Sequence, residues 1–200
     1  ILSGLVGSEM CIRDRAVIVE NRPGAGTSIG SEFIARSPAD GYALLFAVSA
    51  LTINPSLYPN LRFDPVKDLA PISLLGSVVH VLVVRESLPV KSVGELISFA
   101  KANPKTLSYA SVGNGTSTHL EMELLKSEAG IEMAHIPFKG SSAALTELLA
   151  GRVDLMFDAL PTSGPYIQTG KLRALAVTAS RRSSILPNVP TVAESGLHNY

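Results

Sequence analysis

The residues best suited to chemistry lie in one stretch, Tyr109-Ala110-Ser111-Val112-Gly113-Asn114-Gly115-Thr116-Ser117-Thr118-His119-Leu120. An apolar strand ends at Ser111, a glycine-bearing loop follows, and a helix is expected to begin near Thr116. The first N–H groups of a helix lack partners inside it, and the helix dipole is positive at that end. Ser111, Asn114, Gly115 and Thr116 therefore bring backbone donors and small hydroxyls to a point where an anion can sit, and a carboxylate could be held there without Arg or Lys. The same spacing also describes a capped helix after a tight turn. His119 falls about one turn into the helix, where it either reaches such a ligand or packs.

Two further segments point at the same place. Pro137-Phe138-Lys139-Gly140 closes a second strand and Asp158 a third. Parallel strands put their carboxyl ends along one edge, so Ser111, Phe138, Lys139, Gly140 and Asp158 should face a common crevice. Lys139 alone reads equally as a solvated charge, and Asp158 as a cap for the segment that starts at Leu160-Pro161.

Other constellations are weaker. Gly24-x-Gly26-x-x-x-Gly30, after a strand and before a helix, is a variant of the dinucleotide fingerprint, but the acidic residue expected about 20 positions on is replaced by Val48-Ser49-Ala50. A tight structural turn is the competing reading. Neither GxxxxGK[ST] nor GxSxG occurs. Ser111, His119 and Asp158 can be assembled into a triad on paper, with no activating context to support it. The histidines His80, His119, His135 and His198 are scattered singly, and His119 with Glu123 at i, i+4 gives two ligands without a third. No metal or cofactor is expected.

The elements that must position these residues follow from punctuation and period. Strands are expected over 16–20, 42–48, 71–75, 78–85, 107–110, 134–138, 153–157 and 172–178, and helices over 28–36, 92–102, 116–128, 141–150 and 165–169. Ser92-Val93-Gly94-Glu95 is a capping box, Asn103-Pro104 a stop, and Gly130, Gly151 and Gly170 close other helices. Residues 51–69, with Pro55, Pro59 and Pro65, read as loop. Apolar rather than alternating strands joined by helices argue for a parallel sheet covered on both faces. The long strand at 78–85 could be shared between two α/β lobes.

Composition bounds the function. With 46% hydrophobic and 17% charged residues in 200, a substantial core is available. Seventeen basic and 17 acidic residues give a formal net charge of +0, which removes the electrostatic footprint of a nucleic-acid or anionic-membrane binder. No apolar run approaches the roughly 18 residues of a membrane-spanning helix. Cys11 is the only cysteine, so no intrachain disulfide or cysteine-rich zinc site can form. Residues 1–15 show neither helical nor strand period and lack the charge order of a signal peptide, and are expected to be a non-native head.

Taken in order, Val19-Glu20-Asn21-Arg22-Pro23-Gly24-Ala25-Gly26, Pro38-Ala39-Asp40-Gly41-Tyr42, Asp64-Pro65-Val66-Lys67-Asp68, the 109–120 loop, Lys139-Gly140, Leu172-Arg173-Ala174-Leu175-Ala176-Val177 and Val189-Pro190-Thr191-Val192-Ala193-Glu194 resemble the Bug family. These are the extracytoplasmic solute receptors of tripartite tricarboxylate transporters. The resemblance runs from about residue 16 to 200.

It implies an α/β, two-lobed, hinge-closing protein of the type II periplasmic-binding class, truncated here at both ends: a head at 1–15, a partial first lobe at 16–76, a nearly complete second lobe at 77–197 and the start of a crossover at 198–200. It implies a periplasmic, monomeric receptor with no nucleic-acid partner. Such a receptor would take a small organic carboxylate (a di- or tricarboxylate, amino acid or aromatic acid) and serve membrane transporter subunits. By the same resemblance, Ser111, Asn114, Gly115, Thr116 and His119 fall on the second-lobe carboxylate loop. Phe138, Lys139 and Gly140 fall on an aromatic-Lys-Gly motif whose usual Tyr is Phe here. Asp158 falls on a pocket-lining position, and Ser49 and Thr52 on first-lobe loops near the cleft. Two alternatives stand beside this reading: an NADP-dependent oxidoreductase using residues 24–30 as a phosphate loop, and the ligand-binding half of a cytoplasmic regulator with the same bilobal architecture.

Overall fold

The computed structural model describes residues 17–198 and 200. The expected head at 1–15 and the first residue of the expected strand at 16–20 lie outside the described residues.

The order of elements is α1 (Ser28–Ala35), α2 (Ala50–Leu57), β1 (His80–Arg85), α3 (Val93–Ala102), β2 (Ser108–Ser111), α4 (Ser117–Ala129), β3 (Ala134–Pro137), α5 (Ser141–Leu149), β4 (Leu155–Ala159), α6 (Leu160–Gln168) and β5 (Leu172–Val177), with single 3-10 turns at Ala25–Thr27 and Ala193–Ser195. The strands form one sheet in the order β3-β2-β4-β1-β5. β2 runs parallel to β3 and to β4, whereas β1 is antiparallel to both β4 and β5. The wholly parallel sheet expected from the sequence is therefore mixed. β1 enters from the edge at which the other strands end, so His80 lies opposite Ala159 and Val81 opposite Val177.

Both faces are covered, which is why the strands read as apolar runs. Along β1 the side chains alternate: Leu82 and Val84 join Tyr109, Leu155 and Phe157 under α3 and α4, while Val81 and Val83 join Ala110 and Met156 under α5 and α6. Local signals hold where they were strongest. The Ser92 side chain accepts from the Glu95 N–H, the Glu95 carboxylate accepts from the Lys91 N–H, and Gly130 ends α4 in the left-handed region at φ 61.

Several expectations fail for one reason. Residues 17–20, 42–48 and 71–75 form no strand, and the expected 78–85 strand begins only at His80. A strand exists by pairing, and among the described residues these segments enter no strand ladder. Ile18, Tyr42, Leu44, Leu74 and Leu75 are accordingly exposed. Residues 50–57 form α2 rather than loop, because Pro55 sits in the last turn, where its missing N–H costs a single bond, and Tyr58 N–H still closes on the Asn54 carbonyl. α6 begins at Leu160, five residues before the expected start, because Pro161 occupies a first-turn position that needs no N–H donor.

Candidate functional site

β2, β3 and β4 do end along one edge, as the crevice argument requires. Ser111 is paired with Pro137, and the Phe138 N–H donates to the Ser111 carbonyl at 2.9 Å. Between β2 and α4 the loop is closed on itself. Ser111, fully buried, accepts from the Gly113 N–H at 3.2 Å through its hydroxyl, and the Thr116 hydroxyl donates to the Gly113 carbonyl at 2.7 Å. The Thr118 hydroxyl accepts from the Val112 N–H at 3.2 Å, and the Gly115 N–H donates to His119 Nδ1 at 3.2 Å. Several donors expected to face a ligand are thus occupied inside the loop. The helical ladder leaves Ser117 and Thr118 N–H, at the first turn of α4, without carbonyl partners of their own.

Three rings stand in a column behind the loop. His119 stacks on His135 at 4.2 Å between centroids, and His135 on Tyr109 at 4.7 Å. His135 Nε2 lies 2.7 Å from the Ser111 hydroxyl. Burial lowers the pKa of His119, and burial together with the charge of His119 lowers that of His135 to about 4, so both rings are neutral at neutral pH. The Tyr109 hydroxyl donates to Glu123, which also pairs with Lys126 at 2.6 Å. Burial and the neighbouring Glu123 push the Tyr109 phenol up. Burial alone would raise Glu123, but the Lys126 and Tyr109 hydrogen bonds outweigh it and hold the carboxyl below its usual range.

Asp158, almost fully buried at the end of β4, accepts from the Ser141 hydroxyl at 2.6 Å and the Thr162 hydroxyl at 2.5 Å. It ties the first turns of α5 and α6 to the sheet edge. Burial raises its carboxyl above the usual range, against those two hydrogen bonds and the nearby His80. The paper triad does not form: the Ser111 hydroxyl pairs with His135, not His119, and Asp158 is committed to Ser141 and Thr162. Among the described residues no group of three or more His, Cys, Asp or Glu side chains is placed to hold a metal.

The segment 24–30 meets this loop rather than opening a phosphate cradle. Gly26 has φ 58, and a Cβ there would lie 2.7 Å from the Asn114 carbonyl oxygen, so the two backbones touch in a way only glycine allows. The strand that the dinucleotide fingerprint needs before Gly24 is absent from residues 17–20. The tight-turn reading therefore accounts for these glycines.

A family model described as the tripartite tricarboxylate transporter family receptor matches residues 10–200. The chain belongs to this receptor family. Protein BugT of Bordetella pertussis is 40% identical over 186 residues, 92% of this chain and 57% of that protein. Three solved structures share the fold. They are an R. palustris protein, Rpa4515, with adipate (TM-score 0.88, 37% identity, 92% of this chain and 62% of that one), the periplasmic binding protein BugD (0.86, 36%, 91% and 61%), and MatC of Rhodopseudomonas palustris with bound malate (0.78, 29%, 88% and 60%). The architecture is therefore the α/β periplasmic-binding type. The chain spans a little over half the length of such curated relatives and about 60% of these structures.

Within this receptor fold the remaining expected positions fall as follows. Ser49 and Thr52 are exposed at the start of α2, where the Thr52 hydroxyl donates to the Ser49 carbonyl at 2.8 Å. Phe138 is half-buried against the Ala110–Met156 side of the core, Lys139 is exposed with no ion pair among the described residues, and Gly140 at φ 105 precedes α5. The residues that join α2 to the loop are ones the sequence did not single out. Asn54, 1% exposed, donates to the Gly26 carbonyl at 2.7 Å and to the Ser28 hydroxyl at 2.9 Å, while its own Oδ1 has no partner. The Tyr58 hydroxyl donates to the Asn114 carbonyl at 3.4 Å. His135, Ser141 and Thr162 were also missed, although a Ser-Ser pair opening α5 beside a buried Asp is a signal that hydroxyl–carboxylate pairing could have supplied. A shallow concavity of about 280 Å³ on α1, bordered by Ile29, Glu32 and Arg62, contains none of the expected site residues.

Proposed function

We propose that the protein is a periplasmic receptor that captures a small organic carboxylate and delivers it to the membrane subunits of a tripartite tricarboxylate-type transporter. The observation that carries this reading is the loop between β2 and α4 in a chain of this receptor family. It ends in a helix N-terminus whose first N–H donors lack carbonyl partners among the described residues, no metal is needed, and Lys139, without an ion pair among the described residues, stands on the same sheet edge. Relatives with adipate and malate make a dicarboxylate the first class to try: one carboxylate at the first turn of α4, the other toward Lys139. The ligand would be met by the Ser117 and Thr118 N–H groups, Asn114 and Lys139, with Gly115, Thr116 and Gly140 shaping the backbone around them. Ser111, His119 and Asp158 hold the frame, Phe138 offers an apolar wall without a hydroxyl, and Ser49 and Thr52 approach from the first lobe.

In this reading residues 16–76 belong to the first lobe and 77–197 to the second, with β1 leading from one into the other. Ligand that touches both lobes only when they are closed favours the closed form, and the transporter subunits read that form. A ligand held equally by open and closed forms would shift nothing. A monomer suffices for this cycle.

The test is a thermal-shift and calorimetric screen of the complete protein against di- and tricarboxylates, amino acids, aromatic acids and NADP. A ligand at a hundred times its Kd adds about 2.7 kcal/mol of stability. A saturable shift with one carboxylate class is expected, and a shift with NADP alone would overturn the receptor reading in favour of an oxidoreductase. Thr116→Val, which removes the hydroxyl that closes the loop on Gly113, should weaken carboxylate binding by about fivefold to tenfold with the fold retained. Unchanged affinity would remove Thr116 from the site.

A further inference from the structure

We propose that His135 and His119 act together as a brace that sets the shape of the carboxylate loop, so that His135 is a positioning residue for binding and His119 acts through the Gly115 backbone rather than by touching the ligand. The proposal rests on the receptor reading above and adds to it a dependence on proton concentration. The two ends of the loop are held by ring nitrogens: His135 Nε2 at 2.7 Å from the Ser111 hydroxyl, and His119 Nδ1 accepting from the Gly115 N–H at 3.2 Å. Nδ1 can accept only if it carries no proton, which places the ring proton of His119 on Nε2. The rings lie nearly parallel, 11° apart, at 4.2 Å. Two imidazoles so close do not share positive charge readily.

The groups facing the pair are few. Glu123 and Lys126 come from α4, where the His119 ring also sits, and Tyr109 comes from β2 on the far side of His135, with Lys126 Nζ 5.4 Å from the Tyr109 ring centroid. Glu123 favours a proton on either ring and Lys126 opposes it. Burial decides the balance for the neutral forms, and with both rings neutral each nitrogen can do what the loop needs.

The consequence has a sign. When His119 takes a proton at Nδ1 it becomes a donor and must release the Gly115 N–H, and the bend at Gly115, φ 75, loses its hold. Carboxylate affinity then falls as the solution is acidified. A histidine that touched the ligand directly would do the opposite, because a cationic ring attracts a carboxylate. The carboxyl groups of the ligand also take protons toward the acid end, so the two roles are separated by direction relative to His119→Asn, in which no ring titrates at this position.

The experiment is calorimetry with adipate and with malate on the complete protein between about pH 8 and about pH 4.5, alongside hydrogen exchange of the Gly115 amide and imidazole ¹⁵N shifts without ligand. For the wild type, affinity should fall about fivefold more than for His119→Asn over that range. The Asn Oδ1 can accept from Gly115 but cannot titrate. His119→Asn should bind about threefold more weakly than wild type near neutrality, His119→Leu about thirtyfold, and His135→Gln should recover most of what His135→Phe loses. In the ligand-free protein, Gly115 should lose exchange protection over the pH interval in which His119 Nδ1 gains its proton. Affinity that rises on acidification, a His119→Asn profile that follows the wild type, or Gly115 protection indifferent to His119 protonation would each overturn the brace. Failure of both probes to bind at every pH would count against the receptor reading, while Gly115 exchange would still decide the brace.

Discussion

Residues 80–177 and residues 17–79 contain apolar runs of the same kind and end in opposite conditions. In the first, Val81, Leu82, Val83 and Val84 are wholly buried between two helical layers. In the second, Tyr42 is 77% exposed and Leu44 60%. Apolar, extended sequence is thus necessary for a sheet but not sufficient. The backbone donors and acceptors of a strand need a neighbour, and the burial of its side chains follows from that pairing. Besides the chain junction at Val79, whose carbonyl accepts from the Leu160 N–H, the two regions meet through small features: the Gly26 turn, Asn54, Leu57 and Tyr58 lie against the 113–116 loop.

Three substitutions sharpen or break this contrast. Leu82→Ala, in the centre of the sheet, should cost about 2–5 kcal/mol in denaturant unfolding. A loss below about 1 kcal/mol would mean the body is packed more loosely than its burial implies. Gly26→Ala comes next. Its Cβ would press on the Asn114 carbonyl in a backbone region that L residues avoid, so about 1–2 kcal/mol of stability and a clear drop in carboxylate affinity are expected together. Lost stability with intact affinity would show that contact between the regions is irrelevant to binding. Leu44→Ala is the smallest, within about 0.5 kcal/mol, because Leu44 is largely exposed. A cost like that of Leu82→Ala would erase the contrast, because it would place Leu44 in a packed core.

The legible part of the fold is the part whose hydrogen bonds close within a few residues. The Ser92 cap, the Gly130 stop, the Ser141 start of α5 and the hydroxyl-rich turn before α4 all appear where the sequence places them. The candidate loop was legible for the same reason, and the family resemblance extended it to positions that spacing alone could not supply. What was not legible is nonlocal. The antiparallel entry of β1 cannot be read from Val81-Leu82-Val83-Val84, since an apolar run looks alike in either direction. Nothing near Ser111 announces a histidine 24 residues away, and nothing near Asn54 announces the Gly26 carbonyl 28 residues before it.

By itself, then, the sequence determined the alternation of strands and helices from His80 onward, most of the caps there, a neutral chain without the charge for nucleic acid, and a glycine-bearing loop at a helix N-terminus. Those properties follow from side-chain type, period and short-range hydrogen bonding. Only the tertiary structure decided which strands pair and in which direction, which apolar segments remain uncovered, and that the loop's hydroxyl and amide are held by two stacked imidazoles. Each of these depends on groups brought together by packing across tens of residues, where many pairings are compatible with the same local pattern and the lowest free energy of the whole selects one.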